Sequence, residues 1–131
     1  MTDPKKLPPK TITFKVGENE YTVPYPKTGQ MLEIEAMKIA LSRNQYNSFA
    51  AGDTVSILTA KVTTDMIAFF SVCCQQLRKD LNVEMFSELE QWDNKKLLAL
   101  YIKTIMPWLD EWQVFLNTDD EPVVTTETVT T

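Results

Sequence analysis

Residues 11–25 read TITFKVGENEYTVPY and alternate apolar and polar side chains on either side of a short polar segment. Such alternation predicts two β-strands, because successive side chains of a strand point to opposite faces. If residues 17–20 form the turn, Val16 lies opposite Tyr21 and the apolar residues of both strands share one face. An isolated two-stranded hairpin is marginal in water, so this face must pack on the rest of the chain or on another subunit.

The next segment, residues 28 to about 43, has the apolar periodicity of a helix. Its polar stripe is narrow and consists of Glu35, Lys38 and Ser42, while apolar side chains surround most of the remaining circumference. A helix of this kind needs cover on more than one side. We therefore expect it either to be central in the monomer or to complete an interface between copies of the chain.

A long apolar helical pattern follows, and Asp53 or Thr54 is a suitable N-cap for it. The pattern reaches Leu81, either as one helix or as two with a fresh start at residues 63–65. Its second half carries one apolar stripe of little more than a third of the circumference, which predicts a helix that faces the core. The stripe consists of Val62, Met66, Phe69, Phe70, Cys73, Leu77 and Leu81.

Residues 82–93 predict a connection with a short helical turn near residues 85–89, and Asp93 or Asn94 can cap the helix that follows. Pro107 predicts a break or kink in that helix, because proline lacks an amide proton and its ring clashes with the preceding turn. The predicted fold is therefore mainly α, with an N-terminal β-hairpin followed by about four helices. The apolar stripe of the last helix consists of Trp108, Leu109, Trp112, Phe115 and Leu116.

The ends of the chain differ in composition from its body. Residues 1–10 contain three prolines and three lysines and predict a flexible arm, while residues 117–131 consist mainly of Thr, Val, Asp and Glu. This C-terminal composition offers no helical or alternating pattern that could bury a face, so we expect a disordered acidic tail. Between them, residues 11–116 predict a single α-rich domain with an N-terminal hairpin.

The charge distribution and the absence of histidine restrict the function. The chain has 13 basic and 18 acidic residues, for a net charge of −5, and no histidine. Up to Lys103 the charges nearly balance, so no dense basic face is available for nucleic acid. Without histidine there is no Ser-His-Asp or Cys-His nucleophile and no His-ligated zinc or haem. Neither a glycine-rich phosphate loop nor a well-placed carboxylate pair is present, so we expect no enzyme, cofactor or metal site.

The location of the protein is also constrained by its apolar segments. The first ten residues lack the apolar stretch of a secretory signal, and no run approaches the ~20 apolar residues that span a bilayer. We expect a soluble protein without membrane contact in a reducing cytoplasm. Cys73 and Cys74 are adjacent in a helical pattern, where a disulfide between them requires strained geometry.

Aromatic residues near the C-terminus are the candidates for partner binding, because Trp and Tyr are enriched at interface hot spots. Aromatic residues at helical spacing are more often core, so the stripe of the last helix is either core or a docking groove. Trp92 lies off this stripe and is the better candidate for an exposed anchor. The candidate partner-binding residues are Trp92, Trp108, Trp112, Phe115, Asp119, Asp120 and Glu121.

The order of these features resembles that of the tail assembly chaperones of tailed bacteriophages. Three segments carry the resemblance and together cover about half of the chain: TITFKVGENEYTVP, PKTGQMLEIEAMKIALSRNQY and LLALYIKTIMPWLDEW. The resemblance implies a non-enzymatic protein of the host cytoplasm that binds the aggregation-prone tape measure protein and helps to recruit tail tube protein. A small structural or adaptor protein that stays in the virion is the alternative. No binding residue carries over from the family, because no motif matches residue by residue.

Overall fold

In the computed structural model, which describes residues 7–118, the chain begins with an antiparallel hairpin of β1 (Thr11–Val16) and β2 (Asn19–Pro24). Phe14 pairs with Tyr21, and Val16 pairs with Asn19 rather than with Tyr21. The predicted four-residue turn is therefore wrong, because the turn contains only residues 17 and 18. The apolar face is nevertheless retained, since a shift of two residues leaves each side chain on the same side of the sheet.

The hairpin is followed by helices, which confirms the predicted mainly-α fold class. The helices are α1 (Thr28–Leu41), α2 (Tyr46–Ala51), α3 (Val55–Cys73), α4 (Gln75–Asp80), α5 (Gln91–Leu100) and α6 (Met106–Leu116). The short helix α2 lies in a segment that the sequence predicts to be a loop. A 3₁₀ turn at Phe86–Glu88 occupies the position of the predicted helical turn.

Helix α3 forms the centre of the fold. The side chain of Thr54 accepts a hydrogen bond from the backbone N–H of Ile57 at 3.2 Å, which confirms it as the N-cap. No second start occurs at residues 63–65; the chain instead departs from helical geometry at Cys74, where φ is −145° and ψ is 65°. The break separates α3 from α4 and turns the chain toward the 3₁₀ turn.

Within residues 7–118, α3 is the one helix that is long and apolar enough to cross a membrane, judged by length and composition only. Its mean hydropathy is 1.4. Its second half lies in the core. Phe70 is fully buried there, with its ring centroid 5.7 Å from that of Phe14 and 5.9 Å from that of Phe86. Burial of each such ring contributes about 1.5–3 kcal/mol to stability. The buried residues of this half are Thr64, Asp65, Met66, Ala68, Phe69 and Phe70.

A π-helical segment, Tyr101–Ile105, joins α5 to α6 in place of the predicted break at Pro107. The backbone N–H of Met106 donates to the carbonyl of Tyr101, five residues earlier. This wider turn lets the helical path continue past a proline that has no N–H to donate. Helix α5 begins at Gln91 after the N-cap Glu90, so the predicted caps Asp93 and Asn94 lie inside the helix.

The N-terminal segment of the described chain packs on the body, whereas the last residues make local contacts at the end of α6. Pro8 is buried, and the carbonyl oxygen of Pro9 accepts two hydrogen bonds from α6. The flexible arm predicted for residues 1–10 is therefore wrong for these two prolines, while residues 1–6 lie outside the described residues. At the other end, Asn117 Nδ2 donates to the carbonyl of Gln113 at 2.8 Å. The rest of the predicted tail, residues 119–131, also lies outside the described residues.

Candidate protein-binding surface

The tryptophans of α6 belong to the core. The indole Nε1 of Trp108 donates to the Pro9 carbonyl oxygen at 2.7 Å, and that of Trp112 donates to the same oxygen at 2.9 Å. Both side chains are buried. Because their polar groups are satisfied within the chain, the stripe does not form the docking groove that was the alternative for these residues.

Tyr25 links the tryptophans to the hairpin. Its ring stacks on Trp112 with centroids 4.7 Å apart and meets Trp108 edge-on at 5.6 Å. Phe115 contacts Trp112 edge-on at 5.7 Å and is half-buried. Such aromatic pairs contribute about 0.5–1.5 kcal/mol beyond the area that they bury. Phe115 thus supports the aromatic cluster from its solvent side.

Trp92 is placed differently from the other tryptophans. It lies in the first turn of α5 and is 63% exposed. The ammonium groups of Lys95 and Lys96 lie 5.2 Å and 5.7 Å from its ring centroid. Trp92 therefore remains a candidate anchor on the surface. The other candidates, Asp119, Asp120 and Glu121, lie outside the described residues.

The outer face of α1 is uncovered. Ile34 is its only buried residue, so the helix is not central in the monomer. Leu32 is 68% exposed and Ile39 is 51% exposed. The predicted polar stripe is also misplaced, because Ser42 is buried. An apolar helix face left in solvent is a common mark of an interaction surface.

Next to this face lies an open apolar cavity of about 490 Å³, which we call the α1–α4 groove. Its floor includes Ile67 of α3 and Phe86, and its walls include Met37 of α1 and Met85. Met85 is 56% exposed. Methionine side chains are flexible and polarisable, so this wall can adapt to differently shaped apolar partners.

The polar rim of the groove is provided by Arg78. Its Nη1 donates to the carbonyl oxygens of Val83 and Glu84, at 3.0 Å and 3.2 Å. These bonds hold the segment before the 3₁₀ turn against α4, which positions Met85 at the groove. Sequence reasoning missed Met85 and Arg78 as site residues. The one available signal was a methionine in a connection between predicted helices.

A polar cluster around the buried Asp65 holds α1 in place as the other wall of the groove. Asp65 of α3 accepts a hydrogen bond from the Tyr46 hydroxyl at 2.6 Å and an ion pair from Lys61 at 2.9 Å. Lys38 of α1 lies 3.5 Å from Asp65 and 2.9 Å from Glu35. Burial, together with the hydrogen bond to Asp65, raises the pKa of Tyr46. The cluster thus ties α1, α2 and α3 together through defined partners.

The thiols do not provide a reactive group at neutral pH. Burial raises the pKa of Cys73 to about 12, and burial also raises the pKa of Cys74. The thiolate is the nucleophilic and metal-binding form, so at neutral pH both cysteines are held in the less reactive thiol form. Within residues 7–118, no group of three or more Cys, Asp or Glu side chains is placed to hold a metal ion.

No family model, curated protein or solved structure matches this chain. The functional proposal is therefore argued from the surface of the chain itself.

Proposed function

We propose that this chain is a non-enzymatic tail assembly chaperone of a tailed bacteriophage, which binds the tape measure protein and assists tail tube assembly in the host cytoplasm. The single observation that carries the proposal is the α1–α4 groove, an apolar and methionine-walled cavity beside the uncovered face of α1. A holding chaperone must offer apolar surface of this kind to its client. The resemblance described above supplies the identity of the client.

The geometry suits a helical client. An amphipathic helix binds a groove by inserting apolar side chains from one face, spaced three or four residues apart. Met37 and Met85 would contact the inserted side chains from opposite walls of the groove. Ala40 also lines the groove and leaves it wide, because its side chain is small. The groove therefore accommodates apolar residues of different shapes, as a long and repetitive client requires.

Solubility is the second requirement for a holding chaperone. The acidic residues of the chain beyond Lys103 have no basic counterparts, so the C-terminal end carries net negative charge. Net charge of one sign keeps a protein and its complexes apart in solution. This charge offsets the aggregation tendency of an apolar client.

Co-expression with the tape measure protein tests the proposal. The chain should keep the client soluble and co-purify with it, and Met85→Glu should abolish both effects because it places a carboxylate in the groove. Val114→Glu is the matched control, since Val114 is an exposed apolar residue of α6 outside the groove. A client that is insoluble with the wild-type chain, or equally soluble with Met85→Glu, would contradict the proposal.

The alternative is a small structural or adaptor protein retained in the particle. The uncovered α1 face favours this alternative, because permanent subunits bury apolar faces of this kind against their neighbours. Mass spectrometry of purified virions separates the two functions. A chaperone is absent or strongly depleted, whereas an adaptor is present at a fixed ratio to the tail proteins.

A further inference from the structure

A second cavity, of about 290 Å³, lies on another side of α1 from the α1–α4 groove. It forms where the end of the hairpin at Tyr25 meets α1, α3 and α6. Ligand pockets usually measure about 300–1,000 Å³, so this volume suits one long side chain rather than a larger ligand. The first residue of the π-helical segment, Tyr101, lines the cavity, and π segments occur frequently at functional sites.

Most of the charge in the cavity is neutralised within the chain. Lys61 pairs with Asp65, and Lys38 pairs with Glu35 and lies close to Asp65. These two ammonium groups therefore leave no free positive charge for an anionic ligand. Counting Asp110, which also lines the cavity, the two lysines face three carboxylates, so the lining has a net charge of about −1 at neutral pH.

Two polar groups of the cavity have no partner among residues 7–118. Tyr101 is only 4% exposed, yet its hydroxyl makes no hydrogen bond in this part of the chain. Asp110 is exposed at the mouth of the cavity and makes neither a hydrogen bond nor an ion pair there. An unsatisfied buried hydroxyl costs about 1–3 kcal/mol, and a ligand that forms a hydrogen bond with it recovers part of this free energy. Burial, and then the charges of Asp65 and Asp110, raise the pKa of Tyr101, so the hydroxyl stays a donor.

We propose that this cavity, the Tyr101–Asp110 pocket, binds a lysine or arginine side chain of the protein client. The cation of that side chain pairs with Asp110 and donates a second hydrogen bond to the hydroxyl oxygen of Tyr101. The rings of Tyr25 and Tyr101 line the path of the side chain and favour a cation over an anion. This inference rests on the proposed function only in that the client supplies the basic residue.

A titration with a single capped residue tests the pocket without the client. Nα-acetyl-arginine methylamide should shift the amide resonances of lining residues such as Met31 and Gln113, whereas the citrulline analogue, which has the same shape and no charge, should not. Asp110→Asn should weaken arginine binding about tenfold, because a charge-assisted hydrogen bond is lost. Glu111→Gln is the matched control, since Glu111 is exposed and lies outside the pocket.

Tyr101→Phe keeps the ring and removes only the hydroxyl, so it should weaken binding several-fold without loss of fold. Equal binding of arginine and citrulline, no binding of either, or unchanged affinity in Asp110→Asn would overturn the inference.

The pocket and the proposed function are tested independently of each other. If Met85→Glu still holds the client while arginine binds as expected, the pocket stands and the groove does not. If the client stays soluble and arginine does not bind, only the pocket is lost.

Discussion

At the scale of single residues, Pro9 connects the two ends of the described chain. Its carbonyl oxygen accepts hydrogen bonds from Trp108 and Trp112, which lie 99 and 103 residues later. Each buried indole N–H that is satisfied in this way avoids a desolvation penalty of about 1–3 kcal/mol. One carbonyl therefore determines that both tryptophans face inward and that the N-terminal segment packs on α6.

Truncation of Trp112 is expected to destabilise the protein strongly. Trp112→Ala removes a buried ring that stacks on Tyr25 at 4.7 Å, so the free energy of unfolding should fall by about 3–5 kcal/mol. Trp92→Ala is the control and should change it by less than about 0.5 kcal/mol, because Trp92 is exposed. Chemical denaturation measures both. A stable Trp112→Ala variant that no longer binds the client would place this residue at the interface instead.

Sequence reasoning found the tryptophans but not their partners. Their helical spacing indicates a shared apolar stripe, and this stripe is equally compatible with a core and with a groove. The choice depends on Pro9 and Tyr25, which lie more than 80 positions away along the chain. No local sequence pattern predicts such a contact. Tyr101 was assigned to the same aromatic stripe, which was either core or a docking groove. Its place in a pocket with Asp65 was not predicted, because Asp65 comes from another helix.

At the scale of elements, the hairpin shows how one residue sets a register. Gly17 has a φ of 63° and is the first central residue of a two-residue turn. Glycine adopts positive φ without steric cost and is the preferred residue at this position of a type II′ turn, whose twist matches the strands. The alternation of side chains predicts which face is apolar, but it does not choose between turns of two and four residues.

Substitution of this glycine should therefore cost stability through the backbone alone. Gly17→Ala is expected to lower the free energy of unfolding by about 1–2 kcal/mol, because an alanine is strained at positive φ although no atom lies within 4 Å of its Cβ. Gly29→Ala is the matched control. It also meets no atom within 4 Å, but it lies in α1, where alanine stabilises a helix by up to about 1 kcal/mol. The midpoint of thermal denaturation should therefore fall for Gly17→Ala and rise for Gly29→Ala. Equal shifts of the two midpoints would contradict this account.

Proline and cysteine show the limits of local rules for helices. Pro107 predicts a break, yet the helical path continues through it. The hydrogen bond of the π-helical segment spans five residues, which relieves the clash of the proline ring with the preceding turn and accommodates the missing N–H donor. The real break occurs at Cys74, a residue with no special backbone preference. Leu77 of α4 is fully buried after this break.

At the scale of the whole molecule, the apolar surface is divided between a core and an uncovered side. The hairpin, the second half of α3 and the helices from α5 to α6 surround the central ring of Phe70. Helix α1 contributes one buried residue to this core and leaves Leu32 and Ile39 in solvent. The α1–α4 groove and the Tyr101–Asp110 pocket therefore flank the same exposed helix.

Removal of residues 119–131 should separate stability from client handling. A chain that ends at Thr118 should keep its free energy of unfolding within about 0.5 kcal/mol, because the removed sequence has no apolar pattern that could bury a face. Solubility of the co-expressed client should nevertheless fall, since four acidic residues are lost. A loss of stability above about 2 kcal/mol would show instead that this segment packs on the body.

The sequence by itself determined that a hairpin precedes the helices, the mainly-α class, the apolar face of the hairpin and an N-cap at Asp53 or Thr54, because these depend on side-chain period and local hydrogen bonds. Only the tertiary structure decided that the α6 tryptophans are buried, that α1 lies on the surface and that the groove and pocket form beside it. These features arise from contacts between residues distant in sequence, and burial of apolar area is non-directional. A local pattern can therefore indicate that a face must be covered, but not what covers it.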